Sequence, residues 1–332
     1  MSFRALVVSE GPTGQYERHV TRRTPAELPP GDVLVRVQYS SLNYKDALSA
    51  SGHHGVTRRY PHVPGIDAAG VVVESTNRQY KPGDAVMVHA AEFGASVPGG
   101  YSEYARIPAE WLLPLPDGLT SRQCMAIGTA GITAALCVRR LQEQAVQAAD
   151  GEVLVTGATG GVGIFSVALL ARLGYRVVAS TGKPAARDLL EHLGAAEVTQ
   201  RASMQDFSEK ALLMGRWSGV LDTVGGASLS TAIRSMHYGG VVVCCGNVAG
   251  ADLALTVYPF ILRAVRLIGV DVANCPQDQL AGLWNDFGSL WPLDQLAQFI
   301  HECTLEELDV EIDRTLHGGR IGRTVVRVAG AQ

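Results

Sequence analysis

The stretch Val153-Leu-Val-Thr-Gly-Ala-Thr-Gly-Gly-Val-Gly163 leaves this chain few folds to choose from. It starts as a short apolar run suited to a strand buried on both faces. A turn crowded with glycine follows. Val162, Phe165, Val167, Leu169, Leu170 and Leu173 then give a largely apolar helix ending at Gly174. Tyr175-Arg-Val-Val-Ala179 adds a second β-type run and closes a βαβ unit. Ala158, Gly160 and Gly163 occupy the three small-residue places of a dinucleotide fingerprint. The physical need is close approach. A side chain at the middle place would hold the backbone N–H groups and the helix N-terminus away from a pyrophosphate. A glycine triplet is weak evidence alone, but this one has a strand before it and a helix and strand after it. Ala158, Thr159, Gly160, Gly161 and Val162 are expected to line the cofactor.

The chain's 332 residues suggest two domains and a large core. Hydrophobic residues make up 47% and charged residues 18%, which argues against disorder. The net charge of −4 argues against broad nucleic-acid or acidic-membrane binding. No apolar run of about 18 residues and no signal-peptide pattern is evident, so a soluble, cytoplasmic protein is expected. The six cysteines form no C-x-x-C pair, which excludes a disulfide framework or a structural zinc lobe. Cys244 and Cys245 end the apolar run that starts at Val241, where buried thiols are the plain reading.

The first 120 residues read as β-rich. Strands are expected at residues 3–8, 32–39, 68–74, 84–89 and 101–107, divided by Pro/Gly turns such as Lys81-Pro-Gly-Asp84. Short strands with such turns suggest a compact barrel. Residues 120–146 read as two helical pieces around Gly128 and Gly131. Beyond the fingerprint, strands at 197–199, 219–222, 240–245 and 266–270 give about six β units, the count of a full dinucleotide domain. Helices are expected at 280–287 and 293–303, and a last strand at 324–328 that returns to the first domain.

The end of the second strand bears on the cofactor's identity. An NAD-preferring fold places an Asp or Glu there, about 20 residues past the first small residue, to bind the ribose 2′-OH. Here the segment reads Ala179-Ser-Thr-Gly-Lys183, with Arg187 one turn further on. Ser180, Thr181, Lys183 and Arg187 suit a 2′-phosphate, which a carboxylate would repel. NADPH is therefore expected over NADH.

The chain resembles the zinc-free quinone-oxidoreductase branch of the medium-chain dehydrogenase/reductase superfamily, and within it the acrylyl-CoA reductase subgroup. The resemblance is carried by Ser40-Ser-Leu-Asn-Tyr-Lys-Asp-Ala-Leu48, Pro64-Gly-Ile-Asp-Ala-Ala-Gly70, Gly128-Thr-Ala-Gly131, the glycine turn, Pro259-Phe-Ile-Leu-Arg263 and Gly322-Arg-Thr324. It implies an α/β fold, with a GroES-like β-barrel catalytic domain at residues 1–124 and 265–332. A doubly wound Rossmann NADPH-binding domain would fill residues 125–264. It further implies NADPH-dependent reduction of an α,β-unsaturated acyl-CoA, and a homodimer joined through the Rossmann sheet edges. Carried over residue by residue, it sets Asn43 facing the cofactor and Thr129 near the phosphates and nicotinamide ribose. Arg201 would lie by the adenine, Gly246, Asn247, Val270 and Asp271 by the carboxamide, and Arg323 at the cofactor.

No metal is expected. The zinc-dependent alcohol dehydrogenases need a Cys near residue 40 and a Gly-His-Glu after the next strand. Those places read Ser41-Leu-Asn43 and Gly65-Ile-Asp67. His53, His54 and His62 lie nearby, in a loop where histidine is more often solvated than metal-bound. Without a Lewis acid, another group must stabilise the enolate oxygen that forms when hydride reaches the β-carbon. Tyr44 is one candidate, as hydrogen-bond donor or proton source, with Lys45 or Asp46 orienting it; backbone N–H groups or the nicotinamide ribose hydroxyl, with water as the acid, are the other. Arg58, Arg59 and Arg320 are candidates for the CoA phosphates. Two alternatives stay open: a broad NADPH:quinone or enone reductase, and a non-catalytic NADPH-binding protein.

Overall fold

The computed structural model describes residues 2–89, 92–289 and 293–329. Residues 1, 90–91, 290–292 and 330–332 of the expected first domain lie outside the described residues. Two compact units emerge, one from residues 1–129 and 273–332, the other from residues 130–272.

The first unit opens with a hairpin of β1 (Phe3–Glu10) and β2 (Tyr16–Arg23). Then come β3 (Val33–Leu42), α1 (Tyr44–Ser49), β4 (Asp67–Ser75), β5 (Ala85–His89), β6 (Tyr104–Ile107), β7 (Leu113–Pro114) and the start of α2 (Ser121–Glu143). The ten-residue β3 is the hub. One of its edges pairs antiparallel with β4, and the first half of the other pairs with β6. Valines 33, 35 and 37 alternate inward, and with Val86, Val88, Phe93, Tyr101 and Ile107 they build the core. β2 had no sequence-level forecast, because its charged alternation Tyr-Glu-Arg-His-Val-Thr-Arg-Arg carries almost no apolar signal.

α2 is two helical pieces, as expected, and they meet at a kink on one of the two glycines. Only Gly128 leaves helical geometry, at φ 50°, ψ −162°, while Gly131 sits in regular helix. By length and composition α2 could cross a membrane, contrary to the expectation of no such run. However, 83% of its apolar window is buried within the protein, as in a core helix.

The second unit continues with β8 (Glu152–Val155), α3 (Gly161–Arg172), β9 (Arg176–Thr181), α4 (Arg187–His192), β10 (Glu197–Gln200) and β11 (Trp217–Asp222). It closes with α5 (Gly226–Arg234), β12 (Met236–Cys244), α6 (Tyr258–Arg263) and β13 (Arg266–Gly269). Its six strands are all parallel, in the order β10-β9-β8-β11-β12-β13. This is the doubly wound arrangement, with its switch point between β8 and β11. All six residues of β11 are buried. The expected boundary at residue 265 is corrected here: β13 hydrogen-bonds beside β12, so residues 265–272 belong to this unit.

The chain then returns to the first unit through α7 (Gln277–Ser289), β14 (Ile300–Thr304), α8 (Leu308–Leu316) and β15 (Arg323–Arg327). β15 pairs with the second half of β3, so the last strand does rejoin the sheet that opened the chain. The expected helix at 293–303 is a short 3-10 segment followed by β14, because Ile300 and its neighbours pair with β15.

Candidate active site and dinucleotide turn

In the second unit, the glycine turn links the end of β8 to the N-terminus of α3. Gly157 has φ 59°, in the left-handed region that favours glycine. A Cβ added at Gly163 would lie 2.2 Å from the Gly157 carbonyl oxygen and 2.6 Å from Ala158 Cα. At Gly160 the nearest atom would be 3.3 Å away. Gly163 therefore serves helix–strand packing, while Gly160 leaves the space above the turn free. Gly160 caps α3 without a side-chain bond, and Gly161 and Val162 begin the helix half-buried. Ala158 is buried, and its N–H donates to the Ser180 carbonyl at 3.0 Å. This cradle fits a pyrophosphate held by backbone N–H groups and a helix dipole.

At the end of β9, Ser180 and Thr181 are buried, and the Thr159 and Thr181 hydroxyls meet at 3.1 Å. Thr181 Oγ1 also accepts the Lys183 N–H at 3.0 Å. Arg201 is exposed after β10, and its guanidinium lies across Gly182, where an added Cβ would sit 3.4 Å from it. Hydroxyls, a lysine and an arginine thus gather where a carboxylate would mark NADH. Arg187 is not part of the group. Its guanidinium donates to the Val198 carbonyl at 2.8 Å and to Glu191 at 3.2 Å, tying α4 to β10.

Asp222, at the end of β11, was singled out by no motif. It is fully buried, accepts the Thr156 hydroxyl at 2.7 Å, and accepts the N–H groups of Gly225 and Val224 at 2.8 and 3.3 Å. It locks together the two strand ends that flank the switch point. Burial pushes its carboxyl pKa up, against these hydrogen bonds. Gly246 and Asn247 follow β12, with Gly246 pressed against the Thr223 carbonyl and Asn247 exposed. The Val270 N–H donates to the Cys244 carbonyl at 2.9 Å, and Asp271 is exposed beyond it.

In the first unit, a buried polar lattice forms around Asp67 at the start of β4. Asp67 has no exposure. It accepts the Ser41 hydroxyl, the Asn43 side-chain amide at 2.8 Å, and the Thr129 N–H and hydroxyl at 3.0 and 2.6 Å. Arg323, 2% exposed, donates to the Ala126 carbonyl at 3.1 Å, the Leu42 carbonyl at 3.2 Å and Asn43 Oδ1 at 2.9 Å. Its remaining nitrogen is 3.9 Å from Asp67, an ion pair without a hydrogen bond. Burial lowers the Arg323 pKa, and Asp67 and Asp46 counter that effect. Gly128 permits the lattice: a Cβ there would lie 2.6 Å from Asp67 Oδ2 and 2.8 Å from an Arg323 nitrogen.

Two expectations about this region are corrected. Asp46 does not orient Tyr44. It is fully buried and accepts the Asn43 N–H at 2.9 Å and the Ile66 N–H at 2.8 Å, closing a capping box at the start of α1. Burial, reinforced by Asp67, pushes its pKa up to about 7. Asn43 in turn has its side chain engaged by Ser41, Asp46, Asp67 and Arg323. Tyr44 and Lys45 are half-buried at the first turn of α1, and their side chains bond to no other described residue. Arg320 pairs with the buried Glu311, which Arg314 also holds at 2.8 Å, so it is not free for a phosphate.

The places of Ser41 and Asp67 do not fit a zinc ion. Both side chains are spent on hydrogen bonds, with the Arg323 cation alongside. Among the described residues, no group of three His, Cys, Asp or Glu side chains could hold a metal.

A six-stranded doubly wound unit bearing a glycine turn, with a β-unit closed by the C-terminal strand, defines a dehydrogenase/reductase architecture. Residues 29–117 match the alcohol dehydrogenase GroES-like domain family, and residues 161–288 match the zinc-binding dehydrogenase family. The acrylyl-CoA reductase AcuI of Ruegeria pomeroyi is 42% identical over 98% of this chain and 99% of its own length. YhfP of Bacillus subtilis, which carries a provisional quinone-oxidoreductase name, is 43% identical over 93% of this chain and 94% of its own. Its structure with NAD bound superposes with a TM-score of 0.93, covering 98% of this chain and 99% of that one. Escherichia coli K-12 YhdH, solved with bound NADPH, gives a TM-score of 0.95 at 40% identity, covering 98% of this chain and all of the other. The chain belongs to the quinone-oxidoreductase branch of the medium-chain dehydrogenase/reductase superfamily.

Proposed function

We propose that this NADPH-dependent oxidoreductase reduces the C=C bond of a small α,β-unsaturated acyl-CoA of the acrylyl-CoA type. The observation that carries the substrate class is the likeness to the Ruegeria acrylyl-CoA reductase along nearly the whole of both chains. Bound NADPH supplies the hydride. The glycine turn and the N-terminus of α3 hold its pyrophosphate, and Ser180, Thr181, Lys183 and Arg201 hold the 2′-phosphate.

The chain's own work is to polarise the thioester. Negative charge collects on the carbonyl oxygen as the β-carbon gains hydride, and a donor aimed at that oxygen lowers the barrier. The Tyr44 hydroxyl is our candidate donor. Its support is a phenol that bonds to no other described residue, beside a residue, Asn43, that the Asp67 lattice fixes. The α-carbon then takes a proton from Tyr44 or water. Thr129, Asn43 and Arg323 act here by holding the lattice together, which the Thr129 and Asn43 bonds to Asp67 and the Arg323 bond to Asn43 support.

We further propose a cytoplasmic homodimer. The six cysteines are free thiols, the state that a reducing compartment maintains. β13 is an edge strand of the parallel sheet, and Tyr258, Ile261 and Leu262 are exposed on α6, which packs against the neighbouring β12. Sedimentation at micromolar concentration tests the dimer.

A second reading, NADPH:quinone reduction, is favoured by the likeness to YhfP. NADPH oxidation followed at 340 nm with acryloyl-CoA and with 1,4-benzoquinone, each repeated with NADH, separates the two. Turnover of the thioester with NADPH is the expected result. Turnover of quinone alone would overturn the substrate.

A further inference from the structure

Residues 47–66 hold two arginines and three histidines and not one Asp or Glu. Arg58 and Arg59 are both exposed, and neither bonds to another described residue. Several arginines of this unit pair with carboxylates: Arg4 with Glu103 and Glu306, Arg122 with Glu302, Arg314 with Glu311. The two unmatched cations are also held in place. Just before them, the buried Thr57 hydroxyl bonds Ser49 Oγ at 2.7 Å and the Ala95 carbonyl at 3.0 Å. Just after them, Tyr60 donates to the Ser49 carbonyl at 2.6 Å. Both anchors reach the last residue of α1, so the arginine loop is fixed to the helix that starts at Tyr44.

An aromatic group borders the loop. The Tyr16 and Tyr60 rings lie 4.7 Å apart, and His54 stands edge-on to both, with its Nε2 3.1 Å from the Tyr16 hydroxyl. Glu10 is the carboxylate that acts on Tyr16 and Tyr60. Cations on an anchored loop beside an aromatic group suit a phosphorylated nucleotide: arginine forks match phosphate oxygens, and aromatic faces take a base. α1 has six residues and spans roughly 9 Å. The loop therefore lies within reach of a pantetheine arm whose thioester meets Tyr44.

We propose that Arg58 and Arg59 grip the phosphates at the nucleotide end of the CoA thioester, with the Tyr16–His54–Tyr60 group beside the adenine. This rests on the acyl-CoA reading above and makes the loop the part of the chain that tells a CoA thioester from a bare one.

The test uses the full-length enzyme and an Arg58→Gln/Arg59→Gln variant. Wild type and variant are assayed with acryloyl-CoA, with its dephospho form lacking the 3′-phosphate, and with acryloyl-pantetheine, which has no nucleotide. The expected result is a KM for acryloyl-CoA raised at least tenfold with kcat kept. The CoA-over-pantetheine ratio of kcat/KM should fall by the same factor. A smaller change with dephospho-CoA assigns the grip to the 3′-phosphate, and an equal change assigns it to the diphosphate. An Arg58→Lys/Arg59→Lys variant should keep part of the ratio, since charge survives and the fork does not. Equilibrium binding of free CoA to wild type and variant is measured in parallel. If wild type binds CoA and the variant loses it, the grip stands even where the thioester is not reduced, and only the substrate reading fails. An unchanged ratio, or an equal rise in the KM for NADPH, overturns the proposal.

Discussion

Thr129 donates twice to Asp67, through its hydroxyl at 2.6 Å and its backbone N–H at 3.0 Å. The break in α2 at Gly128 turns that N–H toward β4, and Asp67 thereby joins the helix break, the end of β3 and the last strand. Asp67→Asn keeps the size but presents an NH2 group to donors. It also leaves Arg323 buried without the stronger of its two countercharges, Asp67 and Asp46. We expect a loss of about 3–5 kcal/mol, the range for breaking one side of a buried charge pair. Guanidinium unfolding measures it. A loss below about 1 kcal/mol would mean that the lattice does little for stability.

The buried Asp46 carboxyl makes a pH prediction. Its folded pKa is about 7 against 3.8 in the unfolded chain, chiefly through burial and then through Asp67. Above pH 4 the unfolded chain releases this proton first, so the folded state binds more protons. The stability that Asp46 contributes is full below pH 4 and is lost as pH rises through 7, at up to about 1.4 kcal/mol per unit. His62 and His89, held below their ordinary value by burial, act in the opposite direction up to pH 6.5. The comparison must therefore be with Asp46→Asn. Wild type should lose ground to this variant steadily from pH 4.5 to 7. A flat difference across that range would show that Asp46 ionises normally.

Two glycines of one turn should behave differently. Gly163→Ala drives a methyl into the Gly157 carbonyl and Ala158 Cα, backbone atoms that cannot swing aside. It should lower the melting temperature by several degrees, as a loss of about 1–3 kcal/mol would. Gly160→Ala meets only one atom, at 3.3 Å. It should melt close to wild type but bind NADPH at least tenfold more weakly, because its methyl stands where the pyrophosphate approaches. Calorimetry of both variants checks the pair. Equal melting temperatures would contradict the division of roles.

The sequence was most readable where one local pattern has one physical cause. The glycine turn, the strand before it and the helix after it are set by close backbone approach, which no distant residue alters. β2 was missed because its Arg and Glu alternation faces solvent on a hairpin edge. The motif beside Tyr44 suggests that Asp46 orients the tyrosine and, by resemblance, that Asn43 faces the cofactor. Their partners in the structure, Ile66, Asp67 and Arg323, come from the start of β4, the residue before it, and 280 residues down the chain. Periodicity cannot show such pairings. Asp222 escaped for the same reason: it ends an apolar strand, and only the switch point gives it Thr156 as a partner.

The basic groups at the end of β9 should divide cleanly. Arg201 lies across Gly182, while Arg187 is bound to Val198 and Glu191. Arg201→Ala should raise the KM for NADPH by about tenfold or more, the worth of one charge-assisted bond to a phosphate, and leave that for NADH within about twofold. Arg187→Ala should leave the NADPH to NADH preference unchanged and cost a little stability at α4. Steady-state kinetics with both cofactors decides. A preference lost in Arg187→Ala and kept in Arg201→Ala would reverse the assignment.

Tyr44→Phe tests the chemistry most directly. The change removes one hydroxyl that bonds to no other described residue, so folding should be untouched. A positioned acid or an oxyanion donor contributes roughly 10²–10⁴ or 10²–10³ respectively. The variant should therefore lose at least a hundredfold in kcat with acryloyl-CoA while binding NADPH as wild type does. The pH profile separates the two roles. If Tyr44 gives up a proton, the alkaline limb of kcat in wild type should vanish in the phenylalanine variant. If it only holds the oxygen, both enzymes should keep the same limb at different heights. A loss under about threefold would remove Tyr44 from the chemistry and leave the enolate oxygen to backbone N–H groups, with water as the acid.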